Sequence, residues 1–297
     1  MRDAQRRGLA RLAAAVVALL LAPAAAAQPY RAPRAADGHA DLQGQWTNET
    51  MTRLERRPEL GGRLVLTPDE VAAIEDPKNP RKVMRVGGQP RSSLITTPSD
   101  GRVPPLKPGA RPDPRWHEFA PGEQVTDNVE TQAIDDRCLL PIAGNAGPVL
   151  LPLPNNSNYQ IVQTPAHVAI LSEMIHDVRI VRLNASHRTD GLRPWLGDSI
   201  GWWEGDTLVV ETTNFPPLQA LRGSWVHLKV TERFTRVGRE RLRYAFTVTD
   251  PTLWDAPWGG EYEMGPAALP IDEYACHEGE VSVEHMLSAA RRAERAE

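Results

Sequence analysis

The sequence predicts a mainly β protein, an antiparallel meander closing into a barrel or sandwich, with one short N-terminal helix and a C-terminal amphipathic helix. Three observations predict it. Residues 226–249 alternate apolar and polar side chains with a period of two. Four further runs of five to seven residues follow one another with turn residues between them and no intervening helix. Finally, 27 prolines and 22 glycines stand against only four phenylalanines, a composition unsuited to a helical bundle.

The elements follow in chain order. Arg2, Arg6, Arg7 and Arg11 precede an apolar run from Leu12 to Ala22, and Ala25-Ala26-Ala27 before Gln28 suits signal cleavage. Residues 1–27 are therefore expected to be a signal peptide, with Arg6-Arg7-Gly8-Leu9 hinting at twin-arginine export. The apolar run is about half of the ~20 residues a spanning helix needs, so no integral membrane segment is expected after cleavage. The expected location is periplasmic or secreted. Residues 28–40 read as a flexible lead, and 41–297 as a single β-rich domain.

Thr67, Pro68 and Glu70 give the N-cap, first-turn proline and capping-box acid of a helix that stops before Pro77. Residues 76–125 carry many prolines and no period, and read as an extended wrap over the surface. Strands are expected at Tyr159–Gln163, Val168–Met174, Val178–Leu183 and Thr207–Thr212. A hairpin follows: Val226, Leu228, Val230 and Phe234 alternate with polar residues, and after Val237-Gly238-Arg239-Glu240 the pattern resumes with Leu242, Tyr244, Phe246 and Val248. From Ser282 to Ala296, Val283, Met286, Leu287, Ala290 and Ala293 form one apolar stripe.

Charge and cysteines narrow the partners and the compartment. Loss of residues 1–27 removes four arginines and one aspartate, a net +3, and moves the formal charge from −4 to −7. No basic stripe suited to a phosphate backbone survives, so nucleic acid is not an expected partner. Arg291, Arg292 and Arg295 alternate with Glu294 and Glu297 and read as a solvated helix face. Cys138 and Cys276 are the only cysteines, and in an oxidising compartment they favour one disulfide. Two free thiols, or a reactive Cys276 beside His277, are the alternatives.

Several segments resemble a large family of exported bacterial proteins to which no activity is attached. They are Asp41-Leu-Gln-Gly-Gln-Trp46, Asn155–Thr164, Glu173-Met-Ile-His-Asp177, Trp195-Leu-Gly-Asp198, Trp203–Asn214, Glu232-Arg-Phe-Thr-Arg236 and Tyr274-Ala-Cys-His-Glu-Gly279. The likeness spans roughly residues 40–290 and implies a grouping, not a reaction. Gly44-Gln45-Trp46 is also similar to the Gly-x-Trp opening the first strand of lipocalins, which implies a lipocalin-like barrel and nothing about activity.

No nucleophile elbow, zinc helix, phosphate loop or EF-hand loop is present. Titratable groups concentrate in two places instead. Glu173, His176, Asp177 and Arg179 lie within seven residues of otherwise apolar strand, and His277-Glu278 follow the second cysteine. On a continuous strand Glu173, Asp177 and Arg179 share a face, and a bend at Ile175 would bring His176 round to them. Imidazole and carboxylate can exchange protons near neutral pH, and an arginine can hold an anionic group.

The expected function is an exported enzyme acting on a small organic molecule by general acid–base chemistry, with hydrolysis, elimination and isomerisation all open. His176 would carry the proton, Asp177 or Glu173 would orient it, Arg179 would bind an anion, and His277 and Glu278 would complete the site. The alternative is a lipocalin-like carrier of an apolar or ring-bearing molecule. Trp203, Trp254 and Trp258 would line its pocket, or else fill a core short of phenylalanine. No cofactor is expected, although His176, Asp177 and His277 offer donors of the type that hold a divalent metal.

Overall fold

The computed structural model describes residues 30–112, 123–141 and 147–296. The signal peptide expected over residues 1–27 lies outside them. In chain order the elements are β1 (Gly44–Thr47), α1 (Pro68–Ile74), β2 (Arg85–Val86), β3 (Gln89–Pro90), β4 (Ile95–Thr97), β5 (Asn158–Gln163), β6 (His167–Ser172) and β7 (Val178–Leu183). There follow β8 (Asp198–Glu204), β9 (Thr207–Thr213), β10 (Lys229–Gly238), β11 (Arg241–Thr249), β12 (Trp258–Pro266) and α2 (Ser282–Glu294).

β1 closes the sheet. It pairs with β5 through Trp46↔Tyr159 and with β12 through Trp46↔Pro266, so that β1 and β5–β12 form a closed nine-stranded barrel. β4 adds a tenth strand, pairing Thr97 with Gly259 and Ile95 with Gly260 on β12. Neighbouring strands are antiparallel except β7 and β8, whose parallel pairing Arg182↔Ile200 is made across a helix-free crossover through residues 184–197.

Alternation decides what fills the barrel. Inward positions carry Val168 and Ile170 on β6, Leu208 and Val210 on β9, Val230 and Phe234 on β10, and Leu242, Tyr244 and Phe246 on β11. At roughly 25 cal/mol per Å² of apolar surface buried, such rows are the main favourable term in folding. Trp254 and Trp258 pack edge to face at 5.8 Å, and Trp258 meets Phe246 at 6.1 Å. Both indoles belong to this core.

The hairpin is β10–β11, with a register shift between Arg236 and Gly238 before the turn. Val226 is exposed and lies ahead of β10, which starts only at Lys229. α1 has the expected reciprocal cap: Thr67 Oγ1 accepts from Glu70 N, and Thr67 N donates to Glu70 Oε2 at 2.8 Å. On α2, Val283, Met286, Leu287 and Ala290 are half-buried, while Ala293 is exposed. Arg291 donates to the carbonyls of Thr126 and Asp127.

Two expectations change. The described part of the lead at 28–40 is packed: Ala40 is fully buried, His39 stacks on Trp203 at 4.7 Å, and Asp37 accepts from Gln163. The Pro-rich stretch also contributes structure, for it contains the β2–β3 hairpin and β4. The described residues from Ala32 onward form one compact unit. Among the described residues no helix is long and apolar enough to cross a membrane.

Candidate functional site

The connection between β6 and β7 runs over residues 173–177 and turns through two consecutive left-handed residues. Ile175 has φ 58° and ψ 13°, and His176 has φ 48°. A β-branched residue at positive φ is disfavoured by its Cβ, so the surrounding packing must impose it. Met174 and Ile175 are buried and anchor the turn. His176, one residue further on, is left exposed.

The turn orients three of the expected side chains differently. Glu173 is buried and accepts from Asn158 Nδ2 at 2.8 Å, while its own N–H donates to Asn158 O. His176 Nδ1 lies 3.0 Å from the carbonyl oxygen of Tyr274. A carbonyl can only accept, so Nδ1 carries the proton and Nε2 is left as the base of a neutral ring. Asp177 is half-buried, and its Oδ2 is buried with no hydrogen-bond partner in the protein. Burial pushes this carboxyl up to about 6, against the pull of neighbouring His176.

Arg179 goes elsewhere. On β7 Val178 and Ile180 face out, and Arg179 faces into the barrel, where it is 2% exposed. Its two terminal nitrogens grip Glu232, at 2.9 Å for Nη2–Oε1 and more closely for Nη1–Oε2. Burial alone would lower the guanidinium pKa, but Glu232 reverses this and holds it above its ordinary value. Tyr244 donates to Glu232 Oε1 at 2.9 Å.

The network ends on a buried segment without regular structure, Val149–Leu150, that plugs the barrel. Leu150 N donates to Tyr244 Oη at 3.1 Å, and Leu150 O accepts from Tyr262 and, at 3.1 Å, from Asn48. Gly147, at φ 75°, lets the segment fold back on itself, since a Cβ there would meet Leu150 Cδ2 at 2.5 Å. Glu232 escaped the sequence reading, yet a signal was present. It occupies the same alternation row as Val230 and Phe234, an inward position where an acid needs a buried cation.

The second segment does reach the first. Cys138 and Cys276 form a disulfide with Cα atoms 5.8 Å apart, and Tyr274, two residues before it, takes the His176 hydrogen bond. His277 and Glu278 lie exposed in the tight turn beyond, where Glu278 N donates to Ala275 O. The meeting is thus through the Tyr274 backbone. Of the tryptophans, Trp203 is half-buried against His39, whereas Trp254 and Trp258 are core residues whose Nε1 donors find no protein partner.

Asn158 also lines a groove of about 840 Å³ shared with Thr47, Arg81, Lys82, Arg85 and Arg241. Its volume lies in the range of small-molecule sites. Asn158 therefore joins the groove to the turn through Glu173. Among the described residues no group of three or more His, Cys, Asp or Glu side chains is placed to hold a metal ion, and His176, Asp177 and His277 are not such a group. In comparisons with known proteins, no family model, no curated protein and no solved structure matches this chain.

Proposed function

We propose that this protein is an exported enzyme that acts on a small organic molecule by general acid–base chemistry, with His176 and Asp177 as its proton-transfer pair. The observation that carries the reading is the left-handed Ile175–His176 turn, which sets an exposed imidazole of fixed tautomer beside a half-buried, raised carboxyl. Asp177, raised to about 6, keeps a protonated fraction near neutral pH, and Nε2 of the neighbouring His176 offers the acceptor that acid–base chemistry needs beside it. In one step His176 Nε2 takes a proton from the substrate; Asp177, in its protonated fraction, gives one to the group that leaves or accepts charge. In this reading the substrate body lies toward the groove lined by Asn158, which is hydrogen-bonded to Glu173 of the turn. The pair serves hydrolysis, elimination or isomerisation alike.

Arg179 has no substrate contact in this reading, because Glu232 and Tyr244 occupy its neighbourhood. The carrier alternative rests on the closed barrel alone. Against it stand the plug at Val149–Leu150, the buried ion pair and three lumen tyrosines, which fill space an apolar ligand would take.

The test is a turnover screen of the purified protein on esters, lactones and β-substituted carbonyl compounds, alongside mass spectrometry for co-purifying molecules. His176→Gln and Asp177→Asn should each reduce a detected turnover by roughly 10²–10⁴-fold without loss of the fold. Turnover that survives both substitutions would remove the pair from the mechanism. An apolar molecule held in stoichiometric amount, with no turnover, would favour the carrier.

A further inference from the structure

Five arginines line one cleft of about 330 Å³ that shares no residue with the turn or the groove. Arg53, Arg56 and Arg57 come from the loop after β1, Arg102 from the loop after β4, and Arg222 from the turn ahead of β10. Three carboxylates answer them. Glu55 accepts from Arg222 at 2.8 Å, Glu59 stands 3.7 Å from Arg57, and Asp100 faces Arg56. Five cations against three anions leave a local surplus of +2, in a chain whose formal charge is −4.

The floor of the cleft is unusual. Arg56 is 2% exposed and gives Nη1 to the carbonyl of Ser99 at 2.7 Å and of Gly61 at 3.4 Å. Its Nε is buried and has no partner in the protein. Burial lowers the pKa of this guanidinium, and Asp100 only partly opposes the effect. A buried guanidinium at the base of the cleft, with exposed cations around it, concentrates positive charge and favours an anion that brings acceptors with it. Arg53 and Arg102 take part in no ion pair among the described residues, so their forks are available from the rim.

We propose that this cleft binds the phosphate of a small phosphate monoester. A dianion matches the charge surplus, and a tetrahedral oxyanion presents acceptors in the spacing that guanidinium forks engage. The volume suits one phosphoryl group and a few attached atoms. A nucleic-acid backbone is a poorer match, because it calls for a track of cations and this is a single concave cluster.

Calorimetric titration of the full chain at low salt tests this with three probes: inorganic phosphate, glucose 6-phosphate and glucose. The two phosphates should bind and glucose should not. Arg53→Gln combined with Arg57→Gln should weaken glucose 6-phosphate by about tenfold or more while leaving thermal unfolding in place, since both side chains are exposed. Arg239→Gln, at the β10–β11 turn, should change nothing. Equal affinity in the double variant, or equal weakening by Arg239→Gln, overturns the site. Vesicles of phosphatidylcholine with phosphatidic acid separate the sources: sedimentation with them that glucose 6-phosphate does not compete away assigns the chemistry to a lipid headgroup and overturns the small-molecule reading.

Discussion

At the scale of single residues, the acid–base reading makes a demand on stability. Asp177 is raised in the folded state to about 6, above the ordinary value of 3.8. The folded protein therefore binds this proton more tightly than the unfolded chain does. Below the ordinary value both states hold it and Asp177 makes no difference. As pH rises from about 4 to about 6, the unfolded chain gains ionisation free energy that the folded state cannot match, and the native state loses stability. Asp177→Asn removes that loss. Thermal melts should show the variant equal to the parent near pH 4, increasingly more stable up to about pH 6, and level beyond. A constant difference across that window would mean that the carboxyl is not raised. A group kept at a cost to the fold is what a functional site leads one to expect.

At the scale of elements, what was legible in the sequence depended on periodicity. β10 and β11 were plain because apolar and polar residues alternate through nearly their whole length. α1 was plain because its cap is written in Thr67, Pro68 and Glu70. β12 was hidden, since Trp258-Gly-Gly-Glu-Tyr-Glu-Met264 has glycines where an alternation would show, and β8 carries Gly201 between Ile200 and Trp202. The bend at Ile175 could be foreseen as a need, but the Tyr274 acceptor and the Arg179–Glu232 pair belong to barrel closure across distant strands, which no local pattern records.

The glycines that hid β12 have a physical purpose. A Cβ on Gly260 would lie 2.0 Å from Leu94 O, and one on Gly259 2.0 Å from Phe246 O. Gly260→Ala should therefore push β4 away from β12 while sparing β10–β11. Overpacking of this kind costs about 1–3 kcal/mol or more. Hydrogen exchange at the Glu261 amide, which donates to Leu94 O at 3.1 Å, should speed up selectively. Unchanged protection there would show that the sheet can absorb the methyl group.

At the scale of the whole molecule, the barrel and the site are held by different means. Closure of β1 onto both β5 and β12 leaves the barrel complete by Pro266. Beyond it the ties back among the described residues include Ala267 N to Gln45 O, Tyr274 O to His176, Arg291 to Thr126 and Asp127, and the Cys138–Cys276 bridge. The bridge spans 138 positions, and in the chain-entropy model a loop of that length is worth ~5 kcal/mol. Much of the loop is barrel, which folds on its own sheet contacts, so the consequence of losing the bridge should fall on the C-terminal segment. Cys138→Ser with Cys276→Ser should keep the β-sheet circular dichroism, free α2 to exchange its amides, and remove the acceptor that fixes the His176 tautomer. Turnover should then fall with the fold largely intact, and reduction of the parent by dithiothreitol should reproduce it. If instead sheet signal and turnover were lost together in one transition, the bridge would be a staple of the barrel itself, and the turn at His176 would owe its shape to the sheet and not to the segment that reaches across it.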